Sequence, residues 1–152
     1  MAINLRRVVT GHAPNGTPIV SIDDVGRHTA GGREGFSQQQ IWTTADLPVR
    51  ISPDGQDEGA REFKTSIKNG SVFRVVEYAP GVAPRIHRTD TIDYAVVMSG
   101  EIDMEMNESV VHLRTGDVLV QRATIHNWVN NGTVPCVIAF VLISTQDETS
   151  AS

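Results

Sequence analysis

Short apolar runs and apolar-polar alternation fill this chain. They predict strands over Arg6 to Thr10, Pro18 to Ile22, Ile41 to Ile51, Val72 to Tyr78, Ile92 to Met98, Glu101 to Met106, Val110 to Leu113, Asp117 to Gln121, His126 to Val129 and Val134 to Ser144. Turn residues separate these segments at short intervals. Pro14-Asn15-Gly16-Thr17 and Ser99-Gly100 read as hairpin turns, and Asn130-Asn131-Gly132 precedes the last strand in the same manner. Helical spacing occurs over Glu58 to Ile67, where Ala60, Phe63 and Ile67 share a side of a short segment flanked by Gly55 and Gly70, which reads as a short helix or as only a surface turn or two. Gly26 to Gln40 is rich in Gly and Gln without a period and reads as a loop or an arm.

Many short strands without long helices between them require a sandwich or a barrel, because each sheet must bury one face against another. The layout is one structural domain: strands and loops over 1–70 packing on a barrel over 71–145, then a flexible tail over 146–152. Ile92 to Met98 is apolar on both faces, with Ala95 and Val97 on one and Tyr94, Val96 and Met98 on the other. Such a strand is covered twice, by the barrel interior and by another sheet or subunit. A homodimer is the expectation, and cover by the chain's own N-terminal strands gives the same pattern.

Length and charge narrow the partners. A chain of 152 residues fits one buried core. The net charge of -5, with 13 scattered Lys and Arg, speaks against a nucleic-acid partner and leaves a small organic molecule as the expected ligand. There is no apolar run of the roughly 20 residues that a membrane helix needs. Met1-Ala2-Ile3-Asn4 does not open a signal peptide, so a cytoplasmic protein without membrane contact is expected. Cys136, the single cysteine, sits in the apolar run Val134 to Ile143 and reads as a buried strand residue.

The chemistry concentrates in two stretches. His12 and His28 fall in turn and loop segments and read as solvated; His112 alternates with Val111 and Leu113 and points outward. His87 differs, because in an extended strand His87, Thr89, Thr91 and Asp93 share one face and lead into Ala95 and Val97. Polar groups so desolvated need partners, and a divalent metal is one that imidazole and carboxylate commonly bind. The second stretch, Gly116 to Asn130, brings His126 at the start of a returning strand, where it can meet His87. Trp128 on the same face reads as a pocket wall or as core, and Gln121 at the turn as a polar contact or a solvated residue.

These stretches resemble the two signature motifs of the cupin superfamily, in which Gly, a His-x-His pair, an acid and a closing Gly are followed by Gly and a third His. Gly81, His87, Asp93 and Gly100 match the first motif, and Gly116 and His126 the second, within Val72 to Ser144. His87 to Tyr94 and Gly116 to His126 are also similar to a group of small cupins of bacteria and fungi, whose members begin much like Arg6-Arg-Val-Val-Thr-Gly-His12. The resemblance implies an all-β fold, the cupin double-stranded β-helix or jelly-roll barrel, with N-terminal strands and loops. Two departures stand out: Thr89 replaces the second His of the pair, and Asp93 replaces the usual Glu.

The resemblance further implies a divalent metal (Fe, Mn, Ni or Zn) held by His87, Asp93 and His126 in a 2-His-1-carboxylate arrangement. Thr89 and Gln121 then serve as polar contacts to substrate, and Trp128 and Tyr94 as pocket aromatics. Loss of the metal leaves Asp93 as a hydrogen-bonded acid and His87 or His126 as a plain base. The implied function is a metal-dependent enzyme of lyase, dehydratase, decarboxylase, isomerase or dioxygenase type acting on a small oxygenated organic molecule. The alternatives are a non-catalytic small-molecule-binding module and a metal-free lyase or isomerase with a His base.

Overall fold

A computed structural model describes residues 3–146. Its strands are β1 (Arg6–His12), β2 (Pro18–Val25), β3 (Thr29–Ala30), β4 (Phe36–Thr44), β5 (Ser71–Tyr78), β6 (Thr91–Ser99), β7 (Glu101–Glu105), β8 (Val110–Arg114), β9 (Val118–Arg122), β10 (Asn127–Val129) and β11 (Cys136–Ser144). They form a six-stranded sheet ordered β3-β4-β5-β11-β6-β9, a three-stranded sheet ordered β10-β7-β8, and the separate hairpin β1-β2. The first two sheets enclose one core.

Period-two alternation builds that core. From β11, Cys136, Ile138, Phe140 and Leu142 point in; beside it stand Val72, Val76 and Tyr78 of β5 and Ala95 and Val97 of β6. The smaller sheet answers with Ile102, Met104, Leu113 and Trp128. Each fully buried aliphatic side chain contributes about 2 kcal/mol of burial free energy. Two sheets sharing such a core are the jelly-roll arrangement that the sequence implies, and Cys136 is buried within it.

Four local expectations are corrected. The first concerns β4, which starts at Phe36 and ends at Thr44, earlier than Ile41 to Ile51 suggested. Its polar Gln39 is fully buried, donating to the Leu5 carbonyl at 3.1 Å and accepting from the Leu5 amide at 2.8 Å. A backbone partner thus lets a glutamine occupy an inward position that hydrophobic patterning does not recognise. Second, the helical segment shrinks to a 3-10 turn at Glu58–Ala60, capped by Asp57, whose carboxylate accepts from the Gly59 amide at 2.9 Å. So short an isolated segment cannot sustain an α-helix on propensity alone. Third, Ser99-Gly100 is a corner between sheets, since β6 pairs with β9 and β11 while β7 pairs with β8 and β10. Gly100 has φ +79°, and a Cβ there would lie 2.4 Å from the Pro135 carbonyl oxygen, so only glycine fits. Asn130 to Gly132 is likewise a corner, leading from β10 to β11.

Fourth, the N-terminal hairpin leaves the outer face of β6 open: Tyr94, Val96 and Met98 are 50, 45 and 45% exposed. The hairpin is tied instead to the β4 side by Arg7, which is buried and donates to Asp24, to Asp57 and to the Ile41 carbonyl. The tail expected over 146–152 lies outside the described residues from position 147 onward.

Candidate functional site

Two chain segments cross beside β10, and their backbones fix the site. His87 and His126 form an isolated antiparallel bridge, each amide donating to the other's carbonyl at 3.1 and 3.0 Å. Asn127 extends the join, its Oδ1 accepting from the Arg85 amide at 2.9 Å. The imidazoles therefore lie side by side, with ring centroids 4.4 Å apart.

Both rings are held in the same way. His87 Nδ1 is 2.9 Å from the Arg85 carbonyl oxygen, and His126 Nδ1 is 2.9 Å from that of Thr124. A carbonyl oxygen only accepts, so each Nδ1 carries the hydrogen and each Nε2 keeps a lone pair. The Gln121 amide nitrogen lies 2.8 and 3.0 Å from the Nδ1 and Nε2 of His126; with Nδ1 already donating, Nε2 is the acceptor. Thr124 Oγ1 donates to Gln121 Oε1 at 2.7 Å and sets that amide's orientation.

Burial keeps the pair neutral. Desolvation, with smaller contributions from His126 and the cations Arg85 and Arg33, lowers the His87 pKa to about 4. Burial lowers that of His126 as well.

Asp93 stands apart from the pair. It is buried on β6, accepts from Thr91 Oγ1 at 2.6 Å, and burial pushes its carboxyl up to about 6 against the pull of Thr91 and Arg74. Among the described residues no three His, Cys, Asp or Glu side chains are grouped to hold one metal ion. The three-ligand centre expected from the sequence is thus not assembled. Its premise was an extended strand from His87 to Asp93, whereas β6 begins at Thr91 and the residues between are irregular, which breaks the shared face. The two imidazoles match the donors a divalent metal takes; the carboxylate does not join them.

The remaining expected residues divide. Gln121 is buried at the site, not solvated. Trp128 is core, packed against Tyr78 and Phe140, and meets His126 in a T-shaped contact with ring centroids 5.9 Å apart, so it also backs the pair. Thr89 lines a cavity beside His87. Tyr94 is half exposed on the outward face and is no pocket residue, because its parity opposes that of Asp93. His12 and His112 are exposed, but His28 is half-buried and bonded to Asp57 at 2.8 Å.

The cavity beside His87, about 310 Å3, adds residues that motif reading did not single out: Arg33, Lys64, Arg74 and Arg85. One signal was available, an arginine inside the apolar run Val72-Phe-Arg-Val-Val76. A larger cavity of about 530 Å3 lies between the N-terminal hairpin and residues 42–61, and none of the residues discussed above as the site reaches it.

Comparison with known proteins agrees with this architecture. The Cupin domain family model matches residues 74–143. The chain is 36% identical to the cupin-domain-containing oxidoreductase fogC of Aspergillus ruber, over 93% of this chain and 73% of that protein. It is 37% identical to the cupin-domain-containing oxidoreductase virC of Hypocrea virens, over 93% of this chain and 78% of that protein. Phomopsin biosynthesis cluster protein C' of Diaporthe leptostromiformis is 35% identical, over 82% of this chain and 69% of that protein. Among solved structures, KdgF from Halomonas sp. superposes with a TM-score of 0.50 at 16% identity, over 78% of this chain and 88% of that one, a likeness of fold alone.

Proposed function

Since the chain belongs to the cupin family, we propose that it is an enzyme acting on a small oxygenated organic molecule, with His87 and His126 as its working groups. The carrying observation is the pair of neutral, Nδ1-protonated imidazoles 4.4 Å apart beside a cavity. A bare Nε2 at neutral pH is a general base, and its protonated form is the matching acid. His87, which lines the cavity, removes a proton from substrate; His126, capped by Gln121, positions His87 through the backbone bridge and ring packing. Such a centre performs proton transfer next to a carbonyl, the chemistry of lyases and isomerases. The relatives named as oxidoreductases, and those named for biosynthesis clusters, support an enzyme with a small-molecule substrate.

A second reading, in which the pair holds a divalent ion (Fe, Mn, Ni or Zn), is favoured by one observation. Nδ1 bonds to backbone carbonyls orient both rings as metal-bound histidines are oriented. Bound there, such an ion supplies polarisation of a substrate oxygen or a redox centre.

The test is turnover of a panel of small hydroxy and keto compounds, followed by mass spectrometry and by deuterium uptake from solvent. Loss of turnover in folded His87→Ala and His126→Ala variants is expected. Full turnover in both would refute the assignment, and a wild-type protein that binds but converts nothing is a binding module. Activity surviving a chelator supports the base; activity lost to the chelator and restored by one metal supports the ion.

We also propose a homodimer through the outer face of β6 and β9. Tyr94 lies opposite Val120 and Val96 opposite Val118, and all four are at least 45% exposed in the single chain. A second copy of the same sheet would cover this apolar stripe.

A further inference from the structure

We propose that the cavity beside His87 is a carboxylate-binding subsite, and that the substrate is an organic acid anchored there by Arg74 and Arg85. The inference builds on the proposed role of the His87–His126 pair only in placing the reacting carbon next to it.

Four cations, Arg33, Lys64, Arg74 and Arg85, line this cavity, and among the described residues no Asp or Glu does. In a chain of net charge -5 this local excess is the reverse of the global one. Several arginines elsewhere are paired: Arg6 with Asp23, Arg7 with Asp24 and Asp57, Arg61 with Glu58, Arg114 with Glu101. Around the cavity the pattern changes.

Arg74 lies on β5 between the inward-facing Val72 and Val76, a position the alternation reserves for core. Its Nη1 donates to the neutral amide oxygen of Gln38 at 3.2 Å, and its Nε is buried without an acceptor. Burial lowers its pKa most and repulsion from Arg85 adds to it, against a weaker attraction from Asp93, so its charge is only partly compensated. Arg33 is half-buried over the Phe36 ring at 4.3 Å and donates to the Ala83 carbonyl, and its neighbours Arg85 and Arg74 also oppose its charge.

Cations crowded in this way repel one another, and a buried guanidinium whose charge is only partly compensated is costly. A bound anion reverses both effects at once, and guanidinium groups match the two oxygens of a carboxylate. The volume, about 310 Å3, suits a small molecule. Because His87 and Thr89 share the lining, an acid gripped at Arg74 and Arg85 presents its neighbouring carbons toward the imidazole.

The experiment is calorimetric titration of the purified protein with acetate, succinate and benzoate, with the corresponding neutral amides, and with inorganic phosphate at matched ionic strength. At least one carboxylate is expected to bind with a millimolar or tighter Kd while its amide does not. Arg74→Gln and Arg85→Gln should each weaken binding at least tenfold. Arg85 is exposed, so its variant keeps the test valid if Arg74→Gln misfolds. Arg6→Gln, on the exposed hairpin, should bind like the wild type. His126→Ala should bind the carboxylate within threefold of wild type, so a failed turnover assay leaves the subsite standing. Absence of carboxylate binding, or equal binding by the wild type and Arg85→Gln, overturns the proposal. Binding of phosphate without any carboxylate also overturns it, in favour of a phosphate ester.

Discussion

His126 is held by three neighbours that each act on a different part of its ring. The Thr124 carbonyl accepts from Nδ1, the Gln121 amide donates to Nε2, and Trp128 packs against the ring in a T-shaped contact. An amide N–H bonds only the neutral ring, so Gln121→Leu should raise the pH at which His126 titrates, as followed by imidazole NMR. The same change strands Thr124 Oγ1 and Nε2 without partners and should destabilise the fold by about 1 to 3 kcal/mol. Asp93 offers a test with the opposite sign. Its folded pKa, about 6, lies above the ordinary 3.8, so its contribution to stability is full below 3.8 and is lost as pH rises through 6. Asp93→Asn should therefore melt higher than the wild type at pH 8 and no higher at pH 3.5; a lower melting temperature at pH 8 would show that ionised Asp93 is well compensated. His87 behaves conversely, its folded pKa of about 4 giving stability above 6.5 that is lost as pH falls through 4.

Strand alternation was readable in β7 and β11 because their inward residues pack on other apolar ones, as Ile102, Ile138 and Phe140 do. It failed in β4, where Gln39 and Thr43 are buried by means of hydrogen bonds that no periodicity records. It failed again between His87 and Thr91, where an isolated bridge to His126 replaces a strand and the parity argument for Asp93 lapses. The N-terminal hairpin shows a third limit, since its hold on the rest of the chain is ionic. Arg7 is buried between Asp24 and Asp57, and the guanidinium holds Asp57 well below the usual carboxylate range. Arg7→Ala should cost about 3 kcal/mol in chemical denaturation, leaving the two carboxylates without their shared cation. A depressed carboxylate contributes above its unfolded pKa of 3.8 and ceases to contribute as pH falls through its folded value. The deficit of Arg7→Ala should thus be present at pH 7 and shrink below about pH 4.

At the scale of the molecule, the sequence conveyed the barrel and the two histidines, because both lie in segments of fixed motif spacing. Arg33, Lys64, Arg74 and Arg85 come from separate parts of the chain and meet only through the fold, so the cavity's charge was hidden. The open stripe of Tyr94, Val96, Val118 and Val120 bears on assembly: light scattering should give a dimer for the wild type and a monomer for Val120→Asp, and a monomeric wild type would remove the proposed interface. The proposed chemistry depends on two neutral imidazoles sharing one site. Nitrogen-15 NMR of histidine-labelled protein tests this most directly. Two rings with protonated Nδ1 and bare Nε2, His87 staying neutral until pH falls to about 4 and both perturbed by His87→Ala or His126→Ala at the other position, is the result expected. Two rings that titrate independently near pH 6.5 with hydrogen on Nε2 would contradict it.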